Sequence, residues 1–341
     1  MKNHSRKLIY AISALLLAPS FCLGWGARGH REINAAAIRA LPAGELDFLK
    51  AQEPWIVYLS TIPDTYRAQS EPFLKIFEDP NHGWFIEQSA ELMKNPPRSR
   101  YEFVIALYQN HLRVKDKLTN ARWTGTLPYA AVEHFERMQA AMRRLRAARK
   151  AAAVDKDGRQ ESVDETRFIE QEIATYIGLL GHYIGDGAMP LHDSIHHDGW
   201  QGDNPKNFTR DPRIHGRMES RFVDLIQAKA ADFAPRIGAA RVYEDPFAAI
   251  VKHLLDSAAL TEKVYEIDLK DQWADPKNEE ARSLAYKQLA AAAETLRNLI
   301  VTAWARSGEP TRVDPGDNPI SPNHPKYNPA TGSAPAPLRS R

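Results

Sequence analysis

The sequence predicts an all-α protein, and three observations support this prediction. Several long segments repeat apolar residues at the three- and four-residue spacing of a helix. No segment sustains the alternation of apolar and polar residues that is typical of a half-buried strand. The chain has 341 residues, of which 43% are hydrophobic and 26% charged, so it can bury a large core. We therefore expect a single helical domain over residues 25–308.

The predicted helices follow one another through that whole domain. They cover residues 32–41, 101–118, 129–154, 162–187, 211–226, 248–264 and 281–305. Apolar spacing predicts most of them, and two also have start signals. A capping-box pattern at 162–165 begins the fourth helix, which ends shortly before Pro190. Asp211, with a proline directly after it, begins the fifth.

The first 24 residues have the features of an export signal. A basic start is followed by the apolar run 8–18 and then by small residues. That run is shorter than a bilayer of ~30 Å requires, although an uncleaved membrane anchor remains the alternative. Cleavage after Gly24 would make Trp25 the new N-terminus. We therefore expect a secreted or periplasmic protein.

The far end of the chain, residues 309–341, differs in composition from the predicted domain. Eight of these 33 residues are proline, and apolar residues are sparse. Such a composition favours a flexible tail or spacer over a binding segment. A second unusual stretch, 139–159, is rich in alanine, arginine and lysine. It is either a groove for a polyanion or a solvated helix face, and we favour the solvated face.

Composition also limits the chemistry that is available to the protein. The single cysteine excludes a disulfide scaffold and a cysteine-based zinc finger. Any bound metal must therefore be held by histidine, aspartate and glutamate. The formal net charge of +2 gives no strong overall attraction to nucleic acid or to anionic membranes.

Paired acids and histidines are the most informative pattern in the chain. His182 and Asp186 are four residues apart on a predicted helix, so their side chains project from the same face. His215 and Glu219 repeat that spacing on the next helix, and His192 lies between the two pairs. One such pair alone is usually incidental. Two pairs with an intervening histidine indicate a metal site, because imidazole and carboxylate are good zinc ligands.

Two segments together carry a resemblance to a known family. Residues 25–30 read WGARGH, and residues 182–193 read HYIGDGAMPLHD. Together they resemble the S1/P1 nuclease family, in the superfamily that it shares with the zinc-dependent phospholipases C. The resemblance covers roughly residues 25–219. It implies an all-α domain of the phospholipase C/P1 nuclease type that binds three zinc ions.

The resemblance also implies which residues bind each of these ions. The three sets are Asp64, His82, His182 and Asp186 for one zinc; Trp25, His30 and the bridging Asp186 for a second; and His192, His215 and Glu219 for the third. Trp25 would contribute its α-amine and its carbonyl oxygen. Because an amide nitrogen still joined to Gly24 is a poor donor, signal removal would complete the site outside the cytoplasm.

The activity implied is metal-assisted hydrolysis of a phosphodiester. Coordination to zinc lowers the pKa of water from about 15.7 toward about 7. Asp64 and Asp186 would hold the catalytic metal pair, and Arg67 would stabilise charge on the phosphoryl oxygens. Asp193 and Asp203 are candidates for acids that orient imidazole N–H groups.

The choice between nuclease and phospholipase C depends on finer features. The short spacing from Trp25 to His30, the 23-residue interval after His192, and Arg67 all resemble the nucleases. Glu219 resembles the phospholipases, because the nucleases usually have aspartate there. We expect single-stranded nucleic acid or a nucleotide as substrate, with phospholipid as the alternative. A non-catalytic periplasmic metal-binding protein is the third hypothesis, and no stable protein partner is inferred.

The base-binding position departs from the nuclease pattern. In the nucleases, a base-stacking aromatic residue directly follows the histidine that here is His82, whereas this chain has Gly83. Trp84 or Phe85 could stack on a base instead, at ~1–3 kcal/mol per base, or could pack in the core or against an acyl chain. His196, His197 and Trp200 are expected to be solvated loop residues, with lining of the cleft as the alternative.

Overall fold

A computed structural model describes residues 25–114, 124–154 and 160–309, together with residues 322, 323, 325, 327 and 329. The predicted signal at 1–24 and nearly all of the predicted tail at 309–341 lie outside the described residues. Within the described ranges every regular element is helical and no strand occurs, so the all-α prediction is confirmed. None of these helices is sufficiently long and apolar to cross a membrane.

The described helices vary from single turns to rods of almost thirty residues. From α1 to α15 they are Gly26–Arg39, Phe48–Ala51, Glu53–Leu59, Ile62–Thr65, Pro72–Glu78, Ala90–Lys94, Arg100–Val114, Leu127–Val154, Gln160–Asp186, Ile214–Gly216, Val223–Leu225, Ala230–Phe233, Pro246–Ala258, Thr261–Leu269 and Glu279–Ser307. Short 3-10 helices lie at Asp79–His82, Ile86–Ser89, Pro190–Asp193, Ala234–Arg236 and Gln272–Ala274, and a π-helix at Arg217–Phe222.

Helix α9 is the central element of the fold. It packs against α1, α3, α8 and α15. Its apolar residues Ile173, Ile177, Leu180 and Ile184 are fully buried and recur at helical spacing. Burial of each side chain of this size contributes about 1.5–3 kcal/mol. The last two turns of α9 therefore lie inside the molecule, so a polar group there is shielded from bulk water.

Two glycines of α9 allow α1 to approach it closely. A Cβ atom at Gly181 would lie 2.0 Å from Oδ1 of Asn34, and one at Gly185 would lie 2.7 Å from Nδ1 of His30. Asn34 uses the close approach to donate from its amide to the carbonyl oxygen of Gly178, at 3.2 Å. The glycines therefore cost α9 some helix propensity but bring the α1 side chains to its polar end.

Two arginines in the arginine-rich stretch of α8 contact the end of α15, whereas Arg144 and Lys150 of the same stretch are exposed, as expected for a solvated helix face. Arg143 donates to the carbonyl oxygens of Arg306 and Ser307, at 3.2 and 3.4 Å. Arg146 donates to the carbonyl oxygen of Trp304 at 3.1 Å, and its guanidinium lies 3.8 Å from the centre of that indole. These carbonyls belong to the last turn of α15, where the regular intrahelical backbone hydrogen bonds end. These two arginines cap α15, and the solvated-face interpretation is wrong for them.

Several predicted helix boundaries differ from the structure. The first helix begins at Gly26, six residues earlier than expected, and the fourth begins at Gln160, ahead of the supposed capping box. The predicted helix 248–264 is two helices, Pro246–Ala258 and Thr261–Leu269. The predicted helix 211–226 begins only at Ile214, because Asp211 accepts the backbone N–H of Arg213 in a turn.

Candidate metal centre

The predicted ligands of the paired zinc ions converge at the end of α9. His182 and Asp186 lie on its last two turns, and their side chains are fully buried. Helix α1 contributes His30, α4 contributes Asp64, and the 3-10 helix at Asp79–His82 contributes His82. All five side chains are at most 7% exposed. The group therefore draws on four separate elements and lies inside the protein.

The two carboxylate oxygens of Asp186 face different imidazoles. Its Oδ2 is 2.8 Å from Nδ1 of His82 and 3.3 Å from Nε2 of His182. Its Oδ1 is 3.3 Å from Nε2 of His30, whose ring stacks on that of His182 with 4.2 Å between ring centres. The two oxygens thus face different donors, which is the arrangement that a carboxylate bridging two ions requires.

Asp64 completes the donor set around Asp186. Its Oδ1 lies 3.9 Å from Nδ1 of His82 and 3.9 Å from Nε2 of His182. Donor atoms of His30, Asp64 and His182 lie within 4.8 Å of one another, and so do those of His82, His182 and Asp186. A single ion could contact every member of either set. The predicted convergence of these five residues is present in the structure.

The third predicted ligand set forms a separate cluster. Oε2 of Glu219 lies 2.9 Å from Nε2 of His215 and 3.3 Å from Nε2 of His192, and the two imidazole nitrogens are 3.2 Å apart. Glu219 lies in the π-helix Arg217–Phe222, a rare element that often occurs at functional sites. The predicted cluster His192–His215–Glu219 is therefore also present.

Backbone carbonyls orient three of the imidazoles. Nδ1 of His182 lies 2.8 Å from the carbonyl oxygen of Ser60, Nδ1 of His192 lies 2.5 Å from that of His82, and Nδ1 of His215 lies 3.1 Å from that of His197. A ring that donates from Nδ1 presents the lone pair of Nε2. In all three residues Nε2 faces the cluster, so each ring is oriented as a ligand.

Trp25 lies directly beside the paired donors. Its indole nitrogen donates to the carbonyl oxygen of Gly185 at 2.7 Å, and its side chain is fully buried. Its own carbonyl oxygen accepts the N–H of Gly29 at 3.0 Å, which starts α1. The indole of Trp25 thus contacts the residue that precedes Asp186 in α9. Its role as a ligand through a free α-amine stays a prediction.

Buried and unpaired oxygen atoms show that the cluster fits cations. Oδ1 of Asp64, Oδ1 of Asp186 and Oε1 of Glu219 are buried without a hydrogen-bond partner in the described part of the chain. A buried carboxylate oxygen without a partner is costly, and a metal ion removes that cost. With three carboxylates and five imidazoles, these residues could hold divalent metal ions.

The electrostatics of the cluster agree with this fit. Burial disfavours charge on His182, but the carboxylates of Asp186 and Asp64 outweigh it and raise its pKa to about 9. Burial also opposes ionisation of Asp186, yet the imidazoles of His182 and His192 hold its pKa well below the usual value. Without a metal, the imidazole protons supply the positive charge that the carboxylates require.

A cleft leads from the surface to both clusters. It encloses about 260 Å³ and is lined by Arg67, Asp79, Pro80, His82, Gly83, Phe85, Gly125, Leu191, His192, His197, Asp198 and His215. Nη1 of Arg67 lies 3.8 Å from Oδ1 of Asp64, and its Nε lies 3.4 Å from Oδ1 of Asp79. The predicted catalytic arginine therefore lines the cleft, with its side chain partly exposed.

The structure distinguishes between the two aromatic candidates after His82. Trp84 is fully buried and packs on Phe103, with 4.9 Å between ring centres, so it belongs to the core. Phe85 lines the cleft, and its ring stacks on that of His197 at 4.6 Å, with 10° between the planes. Burial lowers the pKa of His197 to about 4. His197 is therefore a cleft residue, and the solvated-loop prediction is wrong for it.

The other two loop residues pack on each other instead of lining the cleft. The rings of His196 and Trp200 stack at 3.8 Å. Both rings lie edge-on to Tyr265, which belongs to α14. Both side chains are partly buried by this stacking, so they are not freely solvated, and the solvated-loop prediction is wrong for them as well.

Neither predicted orienting acid orients an imidazole. Asp203 is exposed, and its carbonyl oxygen, not its carboxylate, accepts the indole N–H of Trp200. Asp193 is fully buried but faces the hydroxyl of Ser257, and burial raises its pKa well above the usual value. Ser257 belongs to α13, and neither carboxylate oxygen of Asp193 has a hydrogen-bond partner among the described residues. Position next to a ligand in the sequence did not determine side-chain direction.

Two acids that the sequence analysis missed do face ligand imidazoles. Oε1 of Glu78 lies 3.2 Å from Nε2 of His82, and Oδ1 of Asp198 lies 3.4 Å from Nδ1 of His215. Glu78 and His82 have the same four-residue spacing as His182 and Asp186. That spacing could have revealed Glu78, whereas no comparable spacing indicated Asp198.

Comparisons with known proteins do not add to this description. No family model, no curated protein and no solved structure matches the chain. The resemblance to the S1/P1 nuclease family therefore depends on residues 25–30 and 182–193 and on the ligand pattern alone.

Proposed function

We propose that the protein is an exported, zinc-dependent phosphodiester hydrolase with three metal sites. Asp64, His82, His182 and Asp186 would hold one ion; His30, Asp186 and Trp25 a second; and His192, His215 and Glu219 a third. The observation that carries the proposal is Asp186, whose two carboxylate oxygens face different imidazoles at 2.8–3.3 Å. Bound zinc supplies an acidified water and a positive charge for phosphoryl oxygens.

The chain's own contribution to the reaction centres on Arg67. Asp79 accepts from its Nε and holds the guanidinium at the cleft, 3.8 Å from Asp64. A guanidinium keeps its charge at any working pH and has donors enough for two phosphoryl oxygens. Arg67 would bind the phosphate in the ground state and stabilise its added charge in the transition state.

Single-stranded nucleic acid is the substrate class that the cleft supports best. Phe85 and His197 form a stacked aromatic wall in the same cleft as Arg67 and His82. A base could stack beside this wall while its phosphate reaches Arg67. Stacking of this kind contributes about 1–3 kcal/mol per base and tolerates any base. The implied activity is that of an endonuclease or 3'-nucleotidase.

One observation favours phospholipid as a second candidate. Helix α5 exposes large apolar side chains just before Asp79, with Phe73 90%, Ile76 58% and Phe77 61% exposed. The guanidinium of Arg100 lies 6.0 Å from the ring centre of Phe77, which brings the start of α7 beside this surface. Exposed apolar patches mark binding surfaces, and a bilayer is one partner that would place a lipid head group at this cleft.

The deciding experiment is a side-by-side assay of the zinc-loaded protein. The substrates are single-stranded DNA, RNA, phosphatidylcholine vesicles and bis(p-nitrophenyl) phosphate, a small diester. We expect zinc-dependent cleavage of the nucleic acids with the highest kcat/KM. Preferred cleavage of vesicles would support the phospholipid candidate instead. A zinc-loaded protein that hydrolyses none of the four would be a non-catalytic metal-binding protein.

Two matched variants sharpen that assay. Phe85→Ala removes a ring from the cleft, and Phe73→Ala removes one from the exposed surface of α5. If nucleic acid is the substrate, Phe85→Ala should raise KM for it roughly 5- to 100-fold while sparing the small diester. Phe73→Ala should then change nothing. The opposite pattern, with Phe73→Ala reducing vesicle hydrolysis alone, would favour phospholipid.

A further inference from the structure

His82 differs from the other imidazoles of the candidate metal centre in what holds its outer nitrogen. His182, His192 and His215 each have Nδ1 against a backbone carbonyl oxygen and Nε2 toward the cluster. His82 is reversed, with Nδ1 facing Asp186 at 2.8 Å and Nε2 facing Glu78 at 3.2 Å. Nδ1 of His215 also lies 3.4 Å from Oδ1 of Asp198, in addition to its backbone carbonyl. Among these four rings, His82 alone has a carboxylate and no backbone carbonyl at its outer nitrogen.

The carboxylate of Glu78 is itself held in place from both sides. Its Oε1 accepts the hydroxyl of Tyr183 at 2.5 Å, and its Oε2 accepts the amide of Asn81 at 3.2 Å. Oδ1 of Asn81 in turn accepts from Arg100 at 2.9 Å. Glu78 is 3% exposed, so no bulk water competes for these contacts. A carboxylate that is buried and fixed in this way has a defined direction toward His82.

The burial of Glu78 is unusual for a charged residue on this helix. Helix α5 exposes most of its large apolar side chains, yet it buries the carboxylate at its last position. A buried charge is costly unless it has partners. Besides Asn81, the partners of Glu78 are one ligand imidazole and Tyr183, the neighbour of ligand His182.

We propose that Glu78 is a positioning residue for His82, an inference that rests on the proposed metal centre. In this structure the contact between Glu78 and Nε2 is an ion-pair distance without hydrogen-bond geometry, and Nδ1 is hydrogen-bonded to Asp186. When the proposed metal ion is bound, the carboxylate would accept the proton of Nε2 and so select the form of the ring whose Nδ1 lone pair is free for the ion. A carboxylate at the outer nitrogen also makes an imidazole a stronger ligand than a neutral carbonyl does. His82 would therefore hold its metal ion more tightly than a ring whose outer nitrogen faces only a backbone carbonyl.

The test is zinc binding by Glu78→Gln, with Glu133→Gln as the matched control. Glu133 is a suitable control because it pairs with Arg100 at 2.9 Å and so belongs to the same group of polar side chains as Glu78. It contacts no ligand histidine in the described structure. In competition with a chelator, Glu78→Gln should bind one zinc equivalent about 10- to 100-fold more weakly. The control should match the unmodified protein. Wild-type zinc affinity in all sites of Glu78→Gln would overturn the inference.

Cobalt replaces zinc as a spectroscopic probe that does not depend on activity. The visible spectrum of cobalt reports ligand geometry, so Glu78→Gln should alter the absorption of one of the bound ions. An unchanged spectrum in that variant would contradict the inference while leaving the proposed function intact. A wild-type protein that binds neither zinc nor cobalt would overturn both proposals at once.

A measurement on the unmodified protein covers the case in which Glu78→Gln does not fold. In zinc-loaded protein with ¹⁵N-labelled histidine, NMR distinguishes rings protonated at Nδ1 from rings protonated at Nε2. His82 should be protonated at Nε2, whereas His182, His192 and His215 should be protonated at Nδ1. If all four ligand rings carry their proton on Nδ1, Glu78 does not position His82.

Discussion

At the scale of single residues, the candidate centre depends on Asp186. Its two oxygens lie 2.8–3.3 Å from imidazoles on α1, on α9 and on the 3-10 helix Asp79–His82. The carboxylate is fully buried, so bulk water does not compete with it for a metal ion. Removal of its charge should therefore affect two metal sites at once.

We predict that Asp186→Asn abolishes hydrolysis. Loss of an outer partner of a metal ligand costs about 10- to 100-fold, so loss of a bridging ligand should exceed ~100-fold in kcat/KM. Metal analysis should show up to two fewer zinc ions per chain. Asp203→Asn, at an exposed position in the loop after the clusters, is the control and should keep full activity. Near-normal turnover by Asp186→Asn would contradict the proposed site.

A second prediction at this scale concerns acid stability. Burial lowers the pKa of His134 from 6.5 to about 4, and its ring stacks on Tyr183 at 5.3 Å. Because the folded pKa is depressed, the neutral ring costs no stability above pH 6.5. As the pH falls toward 4, the unfolded chain binds a proton that the folded protein does not, so stability is lost.

The measurement is urea unfolding of the wild type and His134→Phe at pH 7 and pH 5. Between these values the wild type should lose about 2 kcal/mol more unfolding free energy than the variant. The phenyl ring keeps the stacking on Tyr183 but cannot bind a proton. An equal loss in both proteins would show that His134 is not the group responsible.

At the scale of elements, the close approach of α1 to α9 brings His30 to the site. Spacing along a helix predicts which side chains share a face, but it does not say which helix packs there. The glycines at 181 and 185 decide that, because a larger residue would hold α1 away. The positions of the 3-10 helix that contains His82 and of the π-helix that contains Glu219 also depend on packing against other elements, which local spacing does not predict.

We predict that Gly185→Ala impairs metal binding without unfolding the protein. Its Cβ would lie 2.7 Å from Nδ1 and 3.0 Å from Cε1 of His30, so that ring must move. Zinc affinity at the site shared by His30 and Asp186 should fall at least about 10-fold. Gly216→Ala is the control, since a Cβ there meets nothing within 4 Å. That variant should be neutral or slightly more stable.

The control and the test variant also separate two explanations. If both alanine variants lose zinc equally, the effect follows from loss of helical glycine and not from contact with His30. If Gly185→Ala binds zinc normally, His30 does not need its present position to act as a ligand. Thermal unfolding of both variants without metal would show that each still folds.

At the scale of the whole molecule, the candidate ligands connect elements that are distant in the sequence. Residues 30, 64, 82 and 186 come from α1, α4, a 3-10 helix and α9. An ion shared among them stabilises only the folded chain. Metal binding should therefore be part of the stability of the domain as well as of its chemistry.

Chelation tests this connection directly. We predict that removal of zinc by EDTA lowers the melting temperature on the order of 10 °C, measured by differential scanning calorimetry. Added zinc should restore it. Magnesium at the same concentration is the control and should not, because it prefers oxygen ligands over imidazole. An unchanged melting temperature would show that bound metal does not stabilise the folded protein.

The proposed maturation gives the last prediction. A chain that begins at Trp25 should bind its full complement of zinc and hydrolyse the small diester. One additional alanine before Trp25 would convert the α-amine into an amide, so activity should fall at least about 100-fold. Full activity of the extended chain would show that the amine is not a ligand. The indole contact with Gly185 is available in both chains and does not explain a difference.

Much of the candidate site was predictable because helical spacing is local. The pairs His182–Asp186 and His215–Glu219 lie four residues apart, so any helix that contains them must present both side chains together. The all-α fold was predictable for the same reason, since apolar spacing depends only on neighbouring residues. Boundaries such as Ile214 and the break after Ala258 were not, because turns and packing shift helix ends by several residues.

The sequence by itself determined the fold class, the two helical ligand pairs and the kind of metal donor. Only the tertiary structure decided that Phe85 and not Trp84 reaches the cleft, that Asp193 faces α13, and that Glu78 faces His82. The physical reason is that helical spacing sets direction within one element, whereas distances between elements depend on which surfaces can pack closely. Here that packing depends on glycines in α9 and on the short helices that end at its buried polar face.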